Sequence, residues 1–69
     1  MAESFEYEIR VEGQLDAQWS DWFDGLSVSE VGDGETLIRG EVADQAALRG
    51  ILEKIWNLNL ALVSVQRCQ

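Results

Sequence analysis

The chain is 69 residues long, carries a formal net charge of −8 and consists of 46% hydrophobic residues. This hydrophobic content is typical of a globular protein and excludes a disordered chain, and the length allows one small domain with a limited core. The excess of 13 acidic over 5 basic residues disfavours binding to nucleic acid or to an anionic membrane, because phosphate groups repel such a surface. A basic protein partner is compatible with this charge.

Histidine and cysteine, two residue types that often carry catalysis, are absent or nearly so. The chain has no histidine, which removes the commonest general base and metal ligand. Its one cysteine, Cys68, has only Arg67 nearby to activate it, so we interpret it as a spectator. We therefore predict a protein that is not an enzyme and that uses no cofactor or metal. Since no basic leader or long apolar run is present, a cytoplasmic location away from membranes is expected.

The first third of the chain predicts a strand followed by a short helix. Apolar and charged residues alternate from Phe5 to Gly13, which is typical of a strand with one buried face. Asp16 is a good N-cap for a helix of about two turns, which Gly25 ends. The aromatic residues of this helix are expected to share one face that packs on the core: Trp19, Trp22 and Phe23.

A hairpin is predicted in the middle of the chain. Leu26 to Val31 and Thr36 to Val42 are its strands, and Gly32-Asp33-Gly34 between them is a tight-turn signal, because these residues tolerate positive φ. On the second of these strands, the side chains expected to face solvent are Leu37, Arg39 and Glu41.

The longest periodic segment runs from Asp44 to Leu60 and predicts the main helix. Its apolar residues recur at the spacing that lines one helix face: Leu48, Ile51, Leu52 and Ile55. The Asp44 carboxylate is expected to cap the N-terminus, and Asn59 to take the left-handed conformation that ends the helix.

The last element is expected to be a strand from Ala61 to Cys68. Alternation predicts that Val63 and Val65 point inward and that Leu62, Ser64 and Gln66 point outward.

This order of elements predicts an α+β protein with the ferredoxin-like βαββαβ plan, a two-layer sandwich in which two helices cover one face of a four-stranded antiparallel sheet. A flexible N-terminus at residues 1–4 would precede this single domain at residues 5–69. The first and third strands would be central, and their outward side chains would form an open charged face. Ala46 and Gly50 would form a shallow groove on the long helix for an aromatic such as Trp22.

Two sets of acidic residues can be interpreted either as a functional site or, more simply, as solvated surface. Asp33 and Glu35 offer oxygens to a cation, but Ca²⁺ requires more ligands, and a solvated hairpin tip is the simpler interpretation. The outward glutamates of the first strand, Glu6, Glu8 and Glu12, form either an acidic patch for a basic partner or a solubilising face with cross-strand ion pairs.

An interface is predicted from the residues outside the expected core. Trp56 sits at the border of the apolar stripe, so it is expected to be partly exposed near a sheet edge, where tryptophan favours protein contacts. With the expected open face, the candidate interface residues are Leu37, Arg39, Leu62, Trp56, Glu8 and Arg10.

The chain resembles a widespread set of small bacterial proteins, one domain long, with no assigned function. The resemblance rests on Y-E-I-R-V-E-G at Tyr7 to Gly13, two tryptophans before Gly25, the D-G turn, D-Q-A-A-L-R-G at Asp44 to Gly50, and L-A-L-V-S-V at Leu60 to Val65. The chain departs from it with Arg49 where relatives tend to have histidine and Asn59 where they tend to have glycine. The resemblance implies no chemistry.

These observations predict a protein-interaction or homo-oligomerisation module, acting as a homodimer through the open sheet face or an exposed strand edge. The strand from Leu26 to Val31 is the edge with little charge to guard it. The alternatives are a regulatory domain that senses a small ligand, an acidic inhibitor of a basic protein, and a cofactor-free enzyme.

Overall fold

The computed structural model describes residues 4–32 and 34–68. The elements in chain order are β1 (Phe5–Glu12), a 3-10 helix (Ala17–Ser20), β2 (Ser27–Glu30), β3 (Glu35–Val42), α1 (Gln45–Asn57) and β4 (Ala61–Cys68). Of the segment expected to be flexible, residues 1–3 lie outside the described residues, and so does Asp33 in the hairpin turn.

The strands form one four-stranded sheet in the order β2-β3-β1-β4, in which every neighbouring pair is antiparallel. The predicted α+β class and the antiparallel sheet are confirmed, and the first and third strands are central as expected. β2 and β4 are the two edges. The hairpin between β2 and β3 is closed by the backbone of Val31 and Glu35, whose N–H and C=O groups are 3.0 Å apart.

The ferredoxin-like plan with two helices is wrong, because the described chain contains one α-helix. The segment after Asp16 is a 3-10 helix of four residues, followed by turns as far as Gly25. Most of its backbone hydrogen bonds join residues three apart, as between the Trp22 N–H and the Trp19 carbonyl at 3.0 Å. So short a segment gains little from helix propagation, and it is held instead by Phe23, which is fully buried.

The core lies between the sheet and the layer formed by α1 and the 3-10 helix Ala17–Ser20, which we call the 3-10 segment. Alternation along β1 and β3 places one face of both strands inside, as predicted, and α1 adds its apolar stripe. The buried apolar residues are Ile9, Val11, Leu15, Phe23, Leu26, Val28, Ile38, Val42, Ile51 and Ile55. Each fully buried side chain of this size contributes about 1.5–3 kcal/mol from removal of its surface from water.

Thr36 is the buried polar residue of this core, and it ties β3 to the loop after β1. Its hydroxyl donates to the Gly13 carbonyl at 2.7 Å and accepts from the Leu15 N–H at 3.1 Å. Both hydrogen-bonding roles of the hydroxyl are therefore satisfied, which a buried polar group requires. This fixes the direction in which the chain leaves β1 toward the 3-10 segment.

Both predicted ends of α1 are confirmed. The Asp44 carboxylate accepts from the Ala47 N–H at 2.8 Å, which is an N-cap. At the other end Asn59 has φ of 60°, and the Leu60 N–H donates back to the Ile55 carbonyl at 3.3 Å. This is the Schellman arrangement, in which a left-handed residue lets the chain turn back and satisfy the last carbonyls.

The predicted orientation of Leu62 is wrong. β4 pairs with β1 in a register that shifts between Arg10 and Val11, which places Val65 opposite Ile9 but Leu62 opposite Val11. Both partners belong to the core side of β1, so Leu62 faces α1 and packs against the core. The shift is a β-bulge at Val63, and one extra residue reverses the alternation that a regular strand would have.

The groove expected on α1 at Ala46 and Gly50 does not hold Trp22. A Cβ built on Gly50 has no neighbour within 4 Å, so no side chain fills the space beside it. Trp22 lies instead beside Lys54, whose Nζ is 5.7 Å from the centre of the indole ring.

Candidate interaction surfaces

One face of the sheet is left uncovered by the described helices, and we call it the open face. Alternation and register assign to it the side chains of Glu6, Glu8, Arg10 and Glu12 on β1, Glu35, Leu37, Arg39 and Glu41 on β3, Ser27 and Ser29 on β2, and Ser64, Gln66 and Cys68 on β4. Its five glutamates and two arginines make it acidic.

The charges of the open face follow a pattern along β1 and β3. At both ends two glutamates are direct cross-strand neighbours, Glu6 with Glu41 and Glu12 with Glu35, which is unfavourable for like charges. The middle rows place Glu8 opposite Arg39, and Arg10 opposite Leu37. The face therefore has a mixed centre and two acidic ends.

Arg39 is the central cation of the open face. Its guanidinium is bonded to Glu6 and has Nη1 3.3 Å from a Glu8 carboxylate oxygen. The hydrogen bond and the charge of Glu6, with the charge of Glu8, raise the pKa of Arg39. The pair is exposed to solvent, so it orients side chains more than it stabilises the fold.

Arg10 and Cys68 complete the polar groups of this region. The Arg10 guanidinium is 3.8 Å from Glu35, a loose ion pair at one acidic end. Cys68 is the cross-strand neighbour of Glu6 at the other end. Partial burial, with the nearby charge of Glu8, raises the pKa of the Cys68 thiol. The thiol therefore stays protonated at neutral pH and is a weak nucleophile.

The predicted interface residues do not form one surface. Glu8, Arg10, Leu37 and Arg39 lie together on the open face, as expected. Leu62 lies on the opposite, helix-covered side. Trp56 belongs to α1 and is 53% exposed, as the sequence predicted for it.

β4 presents a second surface, the β4 edge, defined by the outer side of Ala61–Cys68. Along its eight residues only Leu62 and Cys68 are partly covered, and Arg67 is the one charged residue. Val63 and Val65 are 45% and 37% exposed. Edge strands are usually guarded by charge, proline, shortness or a bulge, and this one has a single charge and the irregularity at Val63.

β2, the edge that the sequence favoured, is the better guarded of the two. It is four residues long and ends in Glu30, and the 3-10 segment packs against it. The sequence predicts that the valines of β4 point inward, and Val65 does lie on the core side, opposite Ile9, but it is 37% exposed. The expected burial of these valines hid the β4 edge. The signal that points to it is an apolar strand of eight residues at the end of the chain, with a single charge.

Comparison with known proteins adds family membership and no activity. No curated protein and no solved structure shows significant similarity to the chain. Among the described residues no helix has both the length and the apolar character needed to span a membrane. The profile of a protein family described as a domain of unknown function (DUF8691) matches residues 6–66, which is most of the chain. The chain therefore belongs to this family of domains of unknown function.

Proposed function

We propose that the chain is a non-enzymatic interaction module that self-associates through the β4 edge. The observation that carries this proposal is an eight-residue edge strand that is exposed along most of its length and holds one charge. The outer backbone N–H and C=O groups of such a strand are ready to pair with another strand, as in β-strand addition. A domain of this size also gains stability from the added core.

The open face is a weaker site for self-association than the β4 edge. Its acidic ends, Glu6 with Glu41 and Glu12 with Glu35, would meet acidic ends of a second copy in face-to-face packing. Like charges brought together at an interface cost affinity. The β4 edge has no such opposition, so we place the contact there.

The test is the solution mass of the purified protein across a range of concentrations, for the wild type and for Val65→Lys. We expect the wild type to form a dimer and Val65→Lys to be monomeric, because an inward-facing lysine at a strand edge blocks pairing. The substitution makes the net charge less negative, so weaker association cannot be ascribed to added repulsion.

Val31→Lys is a matched control, because Val31 is 37% exposed like Val65 but follows β2 at the other edge. It is expected to associate as the wild type does. Leu37→Lys tests the open face in the same way. If Leu37→Lys is monomeric while Val65→Lys still dimerises, the contact lies on the open face and the β4 edge is the wrong site. A wild-type chain that stays monomeric at millimolar concentration rejects self-association altogether.

A further inference from the structure

The two sides of α1 have different neighbours. The Lys54 ammonium donates to the Trp22 carbonyl at 2.9 Å and to an Asp24 carboxylate oxygen at 3.2 Å. This side of the helix therefore faces the segment that packs against β2. Leu52 and Trp56 are each two positions from Lys54, and at 3.6 residues per turn they point about 160° away from it. Since β2 and β4 are the two opposite edges of the sheet, Leu52 and Trp56 lie on the side of α1 that is turned toward the β4 edge.

An apolar strip therefore lies at this edge, and it consists of Leu52, Trp56, Val63 and Val65. Only three residues separate the end of α1 from the start of β4, so Trp56 and Val63 are at the same end of the domain. Trp56, Val63 and Val65 are 53%, 45% and 37% exposed. The other exposed large apolar residues that the structure describes, Trp22 and Val31, lie toward β2. The strip is therefore a concentration of apolar surface and not a random scatter.

A stable interface buries more surface area than the pairing of two edge strands can supply. A specific interface covers about 800 Å² on each partner, which is about one sixth of the 4669 Å² surface of the described chain. Backbone pairing along one strand covers only the outer side of that strand. The side chains above the strand must supply the rest, and on this edge they are the apolar strip.

The charges around the apolar strip favour a second copy of the chain over a basic protein. Arg67 lies on β4, and Arg49 is paired with Glu53 at 3.5 Å on the outer side of α1. The carboxylates are concentrated elsewhere, on the open face and on the 3-10 segment with its flanking turns. A basic partner would be drawn to those surfaces, whereas a second chain of charge −8 meets the least repulsion at the strip.

We propose that a second copy covers the apolar strip, that the two β4 strands pair antiparallel about a twofold axis, and that Trp56 is the main side-chain contact. This inference rests on the proposed function and names its partner and its central residue. A twofold contact is self-complementary, so each strip meets its own equivalent. Tryptophan is among the residue types most enriched at interface hot spots, and Trp56 is held exposed on a preformed helix.

The test is the dimer dissociation constant by sedimentation equilibrium for the wild type, Trp56→Ala and Trp22→Ala. We expect Trp56→Ala to raise the constant at least about tenfold, the effect of removing an interface hot spot. Trp22→Ala removes a tryptophan of similar exposure, 43%, from the other side of α1 and is expected to change it less than about twofold. Thermal unfolding of each variant checks that the fold is retained.

A second measurement follows Trp56 directly. In a Trp19→Phe, Trp22→Phe background its fluorescence is expected to shift to shorter wavelength as the protein is concentrated, because the indole leaves water. An unchanged dissociation constant for Trp56→Ala, or emission that does not depend on concentration, overturns the role of Trp56. If Val65→Lys still disrupts the dimer in that case, the proposed function stands and only this inference fails.

Discussion

Cys68 shows how a neighbouring charge on the open face changes the pKa of a single side chain. Its thiol has a raised pKa because of partial burial and the charge of Glu8. Glu8→Gln removes that charge, so the pKa falls toward its ordinary value and the thiolate fraction increases. We expect alkylation by iodoacetamide at pH 8 to be severalfold faster in Glu8→Gln than in the wild type. Mass spectrometry gives the rate without ambiguity, since the chain has one cysteine.

Glu12→Gln is the control for this prediction. Glu12 lies on the same strand and the same face but at the opposite end of β1 from the residue that pairs with Cys68. Its replacement changes the net charge by the same amount and is expected to leave the rate near that of the wild type. Equal acceleration in both variants would mean that overall charge, and not the neighbouring carboxylate, governs the thiol.

At the residue scale, the features that the sequence predicts well are those that depend on local chemistry. Asp44 caps α1 and Asn59 ends it, because a side-chain acceptor and a left-handed residue act within one turn. Leu62 is the opposite case. Its orientation depends on a bulge in the pairing of β4 with β1, and no residue type near Val63 predicts that bulge. The candidate site was therefore predicted in part, with Leu62 on the wrong side of the sheet.

At the element scale, α1 carries a glycine that its structure does not require. Gly50 has helical neighbours on both sides and open space where a Cβ would lie. We expect Gly50→Ala to stabilise the protein by about 0.5–1 kcal/mol, because glycine loses more conformational freedom than alanine when the helix forms. Thermal unfolding would show this as a rise of about 2–8 °C for a domain of this size.

Gly13→Ala provides the contrasting control for Gly50→Ala. Gly13 has φ of 121°, and a Cβ there would lie 2.7 Å from the Leu60 side chain. This variant is expected to lower the unfolding temperature for both steric reasons. A destabilising effect of Gly50→Ala would contradict the view that the space beside Gly50 is open in solution. If that effect increased with protein concentration, a second copy of the chain would fill the space.

The 3-10 segment shows why one element was predicted with the wrong geometry. Its sequence has an N-cap, spaced aromatics and a terminal glycine, which are also the signals of an α-helix. The burial of Phe23 and the packing of the segment against β2 decide the geometry instead. These are tertiary requirements that override a local pattern of so few residues. The strands and α1 are longer, and their periodicity was sufficient to predict them.

At the scale of the whole molecule, the acidity of the chain limits its self-association and makes it dependent on salt. Two copies with a charge of −8 each repel one another, even when the contact itself is nearly neutral. Raising NaCl from 20 to 500 mM shortens the screening length from about 20 Å to about 4 Å. We therefore expect the dimer dissociation constant to fall by about tenfold over this range, a screening effect that should be visible in sedimentation equilibrium.

An uncharged osmolyte at equal osmolality separates screening from general effects of solutes on apolar contacts, and it is expected to have much less influence than NaCl. Glu41→Gln, on the open face and away from the β4 edge, should tighten the dimer at low salt and have little effect at 500 mM, because it reduces only the long-range repulsion. Weakening of the dimer by salt would show that opposite charges face each other across the contact. The near-neutral apolar strip would then not be the interface, and the acidic open face of one copy would have to meet the arginines of the other.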